Sequence, residues 1–275
     1  MVELIFLKLG GSLITDKSQP YTPRLELLDN LTREITRINT SNPELRLILG
    51  HGSGSFGHTA AKQFNTSSGI SMVSAGNPSE IIDYWKGFAE VHHQATNLNH
   101  HVMHSLRKAQ IAAISYPPAA TVRTRDREIV SWDIRAIESA LKSRLVPVIF
   151  GDTVFDEAIG GTIVSTEQLF EYLSSFLSPD RILIAGMEQG VWSDFPSNKN
   201  LIRKISAKSL DTDYPRITGS SSSDVTGGML SKVQRMVSLV QEHPTIRVQI
   251  FSGIPSGNLI KAFQGEILGT AISAE

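Results

Sequence analysis

Three short segments of this 275-residue chain pair glycines with basic side chains in patterns suited to phosphate. The first is Lys8-Leu9-Gly10-Gly11-Ser12, followed at a short interval by Lys17. An apolar run, Leu4–Leu9, leads into the two glycines. Glycine lets the backbone approach an anion closely, and turn amides then serve as donors. A lysine on each side adds a point charge for phosphate oxygens. The second segment is His51-Gly52-Ser53-Gly54-Ser55-Phe56-Gly57-His58, placed where a second strand should end and a helix begin. His58 could donate a hydrogen bond to a phosphate oxygen, or it could cap that helix. The third is Asp224-Val225-Thr226-Gly227-Gly228-Met229, with Lys232 one turn into an amphipathic helix. A helix N-terminus presents unpaired amides and a positive dipole end.

Each segment alone is also compatible with an ordinary capped turn. Together they place three lysines, Lys8, Lys17 and Lys232, beside three anion-binding turns. Phosphoryl transfer needs this much, because charge must be neutralised on donor and acceptor while both are aligned. The sequence lacks the G-x-x-x-x-G-K-[ST] loop, the G-x-G-x-x-G fingerprint and the protein-kinase motifs, which excludes those phosphate-binding classes.

These residues must be held by a layered scaffold. Buried strands are predicted at Leu4–Leu9, Arg46–Leu49, Ile111–Ser115, Val146–Phe150, Arg181–Ala185 and Arg247–Phe251. Between the first two, Thr22-Pro23 reads as a helix start. Further helices are expected over about 79–108, 132–143 and 226–242. Strand–helix alternation of this kind predicts an α/β fold. A hydrophobic content of 40% supplies a core, and a net charge of −1 argues against a nucleic-acid footprint. With no cysteine, disulfides and thiolate metal sites are excluded. No apolar run is long enough to span a bilayer, and the N-terminus does not read as a signal peptide, so a cytoplasmic protein is expected.

Lys8-Leu-Gly-Gly-Ser12, the glycine loop ending in His58, Gly151-Asp152 after a strand, and Asp224-Val-Thr-Gly-Gly-Met-x-x-Lys232 resemble the amino acid kinase superfamily over nearly the whole chain. Lys17 and the loop ending in His58 resemble the isopentenyl phosphate kinase family within it. The resemblance implies a three-layer αβα sandwich with a central, mostly parallel sheet. It implies an acceptor-binding lobe over 1–178 and a nucleotide-binding lobe over 179–275. It implies ATP and Mg2+, a homodimer, and the phosphorylation of isopentenyl phosphate in isoprenoid biosynthesis. By the same resemblance Lys8, Leu9, Gly10, Gly11, Ser12, Gly54, Glu188, Gly228 and Lys232 would hold the nucleotide. Gly52, Ser53, His58 and Thr166 would hold the acceptor. Lys17 would bridge the two, and Lys8, Lys17, His58 and Lys232 would be the catalytic set.

Three positions depart from the family pattern. Ser53 replaces a glycine. Ser165-Thr166-Glu167 replaces Ser-Gly-Asp. Met187-Glu188-Gln189-Gly190-Val191-Trp192 replaces Asp-Val-Asp-Gly-Val-Tyr. Two other activities stay open: a kinase of another small phosphate or a fosfomycin-type phosphonate, and a non-catalytic nucleotide sensor. Ile81, Ile82, Trp85, Phe88, Ala89 and Val91 are the expected wall for an apolar acceptor tail, with ordinary core as the alternative. The polar stretch 193–223 reads as a flap or surface insertion. His92, His93, His100, His101 and His104 read as a polar helix face rather than a metal site.

Overall fold

The computed structural model describes residues 2–66, 69–70, 78–206, 208 and 228–275. Strand β1 (Leu4–Leu9) is buried along its whole length. It pairs in parallel with β2 (Arg46–His51) and β9 (Arg181–Gly186). Outward from β2 follow β6 (Val146–Phe150) and β3 (Ala113–Ser115). Outward from β9 follow β13 (Arg247–Ser252), β14 (Thr270–Ser273) and β12 (Lys204–Ser206). Within this eight-stranded sheet only the β13–β14 pair is antiparallel.

Alternation along β1 sorts its side chains onto two faces. Leu4 and Phe6 join a core with α5 (Arg135–Lys142), α6 (Thr166–Leu177) and α7 (Gly228–Glu242). Ile5, Leu7 and Leu9 join a second core with α1 (Gly11–Ile14), α2 (Leu25–Ser41), α4 (Pro78–Lys108) and α8 (Asn258–Phe263). Helices therefore cover both faces, giving the expected three layers. The same alternation puts Lys8 on the face of Leu4 and Phe6, beneath α6. Helix α3 (Gly54–Phe64) follows β2 directly and packs on α4.

Several local expectations are corrected. Helix α2 starts at Leu25 with Arg24 at its N-cap, not at Thr22-Pro23. Pro23 instead forms a bridge with Thr15, which closes the turn that carries Lys17. The helix expected from 132 begins at Arg135, because Trp132 ends β5 (Glu128–Trp132). β5 belongs to a second sheet, ordered β5-β4-β7-β8, with β4 (Val122–Arg125), β7 (Asp152–Asp156) and β8 (Gly160–Val164). Reading by apolar runs does not find these strands.

Residues 193–206 of the expected flap are built into structure. They include β11 (Leu201–Ile202), paired with β10 (Val191–Trp192), and β12. Asp194 accepts the backbone amides of Lys199 (3.2 Å) and Asn200 (3.0 Å). The rest of that stretch, apart from residue 208, lies outside the described residues, as do Asp224, Thr226 and Gly227. Among the described residues no helix is long and apolar enough to cross a membrane.

Candidate active site

The carboxyl ends of β1, β2 and β9 open onto one cavity of about 330 Å³. Ligands in open α/β sheets bind at such strand ends. Its lining includes Lys8, Gly10, Gly11, Ser12, Lys17, Gly52, Ser53, Gly54, His58, Thr166, Glu188 and Lys232. Residues far apart in sequence thus share one space.

The two glycine turns meet backbone to backbone. Gly10 donates its amide to the Ala185 carbonyl (2.8 Å), and Gly52 donates to the Leu9 carbonyl (3.1 Å). A methyl group on Gly11 would stand 2.4 Å from the Gly54 nitrogen. Gly54 has φ +51, and a methyl there would stand 2.2 Å from Thr15 Oγ1. Thr15 ties the turns together from below: its hydroxyl donates to the Gly11 carbonyl (2.7 Å) and accepts the Ser55 amide (2.9 Å). That contact takes up the Ser55 amide, and Ser55 is not among the residues that line the cavity, whereas Ser53 and Gly54 are.

Lys8 and Glu167 form a buried ion pair at the cavity floor, 5% and 2% exposed. Burial pushes the Glu167 carboxyl up, but the charges of Lys8 and Lys232 and the hydrogen bond from Lys8 outweigh it. The carboxylate therefore stays ionised and links two of the cavity lysines. Its other oxygen, Oε1, is buried with no hydrogen-bond partner. Helix α6 presents Glu167 here because Ser165 and Gln168 close a capping box at its N-terminus.

Lys17 sits on an exposed turn. The turn is held by the Asp16 amide donating to the Thr22 carbonyl (2.8 Å) and by Asp16 Oδ1 accepting from the amide (2.9 Å) and hydroxyl (2.7 Å) of Ser18. The bonds from Ser18 hold the Asp16 carboxyl below its ordinary value. His58 is half-buried in the second turn of α3. On the opposite wall the Glu188 carboxylate accepts from the Trp192 indole (3.0 Å) and the Asn198 amide (3.3 Å).

Below the turn of Gly52 to Gly54, His51 is fully buried and stacks on Phe150, with centroids 5.2 Å apart. Its ring nitrogens lie 3.1 Å from the Gly52 carbonyl and 3.2 Å from Asn99 Oδ1. Burial lowers its pKa to about 4, so the ring is neutral.

Three expected contacts are revised. Leu9 is fully buried in the second core and does not line the cavity; its carbonyl anchors Gly52 instead. Gly228, with φ +72, opens α7 but is not part of the lining, which takes Met229 and Lys232 from that helix. Thr166 lines the cavity, but its hydroxyl commits its proton to the His51 carbonyl (2.7 Å), so that hydroxyl does not donate to an acceptor phosphate.

The six residues of the expected tail wall are not part of this lining. Trp85, Phe88 and Phe155 pack on one another at 5.2–5.8 Å, against the β7–β8 hairpin. Phe88 abuts Gly161, where a methyl would meet its ring at 2.8 Å. Ile82 is exposed, and none of the six expected residues lines the cavity. Ile163 does, and it packs on Ala60, Ala61 and Val91. The histidines of α4 are dispersed: His92 pairs with Asp152 (3.0 Å), His93 faces Asn97 (3.0 Å), and His101 packs edge-on to Phe56. Arg24, Gly186 and Phe195 join the lining without any local sequence signal.

Residues 3–252 match the amino acid kinase family. The chain is 34% identical to the isopentenyl phosphate kinase of Methanocaldococcus jannaschii, covering 98% of each chain. It is 31% identical to that of Methanothermobacter thermautotrophicus, covering 99% of this chain and 100% of the relative. A crystal structure of an isopentenyl phosphate kinase superposes with a TM-score of 0.83 at 29% identity, over 98% of this chain and 100% of the other. The cavity that joins Lys8, Lys17, His58 and Lys232 thus sits on a shared scaffold, and the chain belongs to the amino acid kinase family, among the isopentenyl phosphate kinases.

Proposed function

We propose that this protein transfers the γ-phosphoryl group of ATP to isopentenyl phosphate, giving isopentenyl diphosphate and ADP. The observation that carries the reading is the single cavity in which two touching glycine turns are surrounded by Lys8, Lys17, Lys232 and His58. The names of the relatives supply the acceptor. In this reading Lys8, Gly11, Ser12 and Gly54 hold the β- and γ-phosphates, Gly10, whose amide is bound to Ala185, leaves them room, and Lys232 meets them from α7. Ser53 and His58 hold the acceptor phosphate, Gly52, whose amide is bound to Leu9, lets it approach the backbone closely, and Lys17 spans donor and acceptor. Glu188, held by Trp192 and Asn198, faces the nucleoside end. Residues 1–178 then form the acceptor lobe and 179–275 the nucleotide lobe.

A phosphate monoester has a second pKa near ~6 and is mostly dianionic at neutral pH. Its oxygen needs no general base, so His58 acts as a hydrogen-bond donor. The central task is to relieve repulsion between two anions, which the lysines do from fixed positions. The residues also fit Mg2+ carried largely by the nucleotide. Among the described residues no group of three or more His, Cys, Asp or Glu side chains could hold a metal. One ionised carboxylate with an unpartnered oxygen, Glu167, is nevertheless at the site. Mg2+ is commonly held by one or two carboxylates plus substrate phosphates. When bound it would neutralise phosphate charge. Ile163 is the apolar surface on the His58 side that would face the acceptor tail. The family resemblance further supports a homodimer in the cytoplasm.

The test is ADP release with isopentenyl phosphate, with a phosphonate such as fosfomycin, and with no acceptor, the product identified by mass spectrometry. Isopentenyl diphosphate should form in the first case. Turnover only with the phosphonate would move the acceptor assignment. ATP binding without turnover of any acceptor would favour a sensor.

A further inference from the structure

Helix α7 brings Lys232 to the cavity, and its next turn carries a second cation, Arg235. Nη2 of Arg235 lies 3.1 Å from Glu128 Oε1, and Nη1 lies 3.4 Å from Glu128 Oε2. Nη1 also donates to Glu171 Oε2. Glu128 belongs to β5, and Glu171 lies on α6, four residues after Glu167. Two charged rungs therefore connect α6 and α7. One is Glu167 with Lys232, coupled through their charges at the catalytic cavity. The other is Glu171 with Arg235, one turn further along. Both rungs line a second cavity of about 640 Å³ between the two helices.

The rest of α7 is held by apolar contact. Val233, Met236, Val237 and Val240 are fully buried in the first core. Such burial is non-directional, so it resists separation more than rotation or axial slip. A guanidinium gripped by two carboxylates is directional and fixes geometry. The side chains of Arg235 and Glu171 are 25% and 27% exposed, so solvent screens their contact only in part, while that of Glu128, at 65%, is screened more heavily.

We propose that Arg235 is a positioning residue for phosphoryl transfer: clamped by Glu128 and Glu171, it sets the register of α7 on α6 and so places Lys232 against the transferring phosphoryl group. The proposal rests on the reading of Lys232 as a phosphate-binding lysine.

The experiment is a double-mutant cycle on the full-length protein with ATP and isopentenyl phosphate. Arg235→Met should lower kcat about 10-fold or more, since a displacement near 1 Å of a charge-neutralising group costs up to ~10²-fold. KM for the acceptor should be little changed. Arg235→Lys, which keeps the charge but not the fork, should fall between. In a Lys232→Met background, adding Arg235→Met should cost less than about 2-fold further, because coupled residues are non-additive. Glu128→Gln and Glu171→Gln, which leave Arg235 in place, should each lower kcat in the same direction, and they serve if Arg235→Met does not fold. A native kcat in Arg235→Met, or losses that multiply fully in the double variant, would overturn the proposal. Near-native kcat in Lys232→Met would instead remove the reading of Lys232, and the proposal with it.

Discussion

His58 and Lys17 border the same cavity, yet they should fail differently when changed. His58 is half-buried on a helix beside the turn of Gly52 to Gly54. His58→Ala should raise the acceptor KM or lower kcat and leave ATP binding intact, while His58→Gln, which keeps a donor, should be milder. Steady-state kinetics with separate ATP-binding measurements check this, and an equal loss of ATP affinity in both variants would contradict it. Lys17 is exposed on a turn that Asp16, Ser18 and Pro23 hold in shape. Lys17→Met should therefore fold normally and lose ~10²-fold in kcat, the scale of removing one preorganised electrostatic donor. A near-native kcat would take Lys17 off the catalytic list. The glycine turns and lysines that meet in the cavity are legible in the sequence, because they are local patterns, whereas Thr166 and Glu188 enter only through the family resemblance. Glu167 was visible but its partner was not. Its pairing with Lys8 depends on β1 alternation and on α6 crossing that face. Ile163, Arg24 and Phe195 come from separate segments that only the fold brings together.

At the scale of elements, the end of β2 is held by one neutral imidazole. His51 stacks on Phe150 of β6, faces Asn99 of α4 and touches the Gly52 carbonyl. Burial depresses its pKa from 6.5 to about 4, so the unfolded chain takes up this proton more readily. The associated stability is present above pH 6.5 and is lost as the pH falls toward about 4. Its full size is on the order of 3 kcal/mol. Denaturant unfolding across that range should show the decline, and His51→Gln should flatten it; an unchanged slope would sink the idea. The legibility of elements divides along similar physical lines. Buried strands such as β1 and β6 are continuous apolar runs and are found at once. β4 reads VRTR and alternates buried with exposed positions, so it has no such run. The Asp126-Arg127 turn that follows it adopts positive φ at both residues without the Asn-Gly or Asp-Gly pair that marks such hairpins in a sequence. The Thr22-Pro23 signal was misread because the same proline can start a helix or end a bridged turn.

The whole molecule is a sheet with helices on both faces, and that much follows from strand–helix alternation. The second sheet was not foreseen, and it draws Trp85 and Phe88 of the expected tail wall onto its hairpin. The contact between the two glycine turns has a consequence at this scale. On the proposed reading Gly10 and Gly11 serve the donor and Gly52 and Ser53 the acceptor; a methyl on Gly52 would stand 2.8 Å from the Gly11 nitrogen, so the gap between them is gauged by the thickness of two peptide backbones. Backbone thickness does not vary with rotamer, temperature or neighbouring substitutions as a side-chain spacer would. The specificity of the chain can therefore drift while its reacting distance stays constant. Walls such as Ile163, or the face that carries Trp192, can be rebuilt for other tails or other bases. The gauge itself tolerates not even one added methyl group.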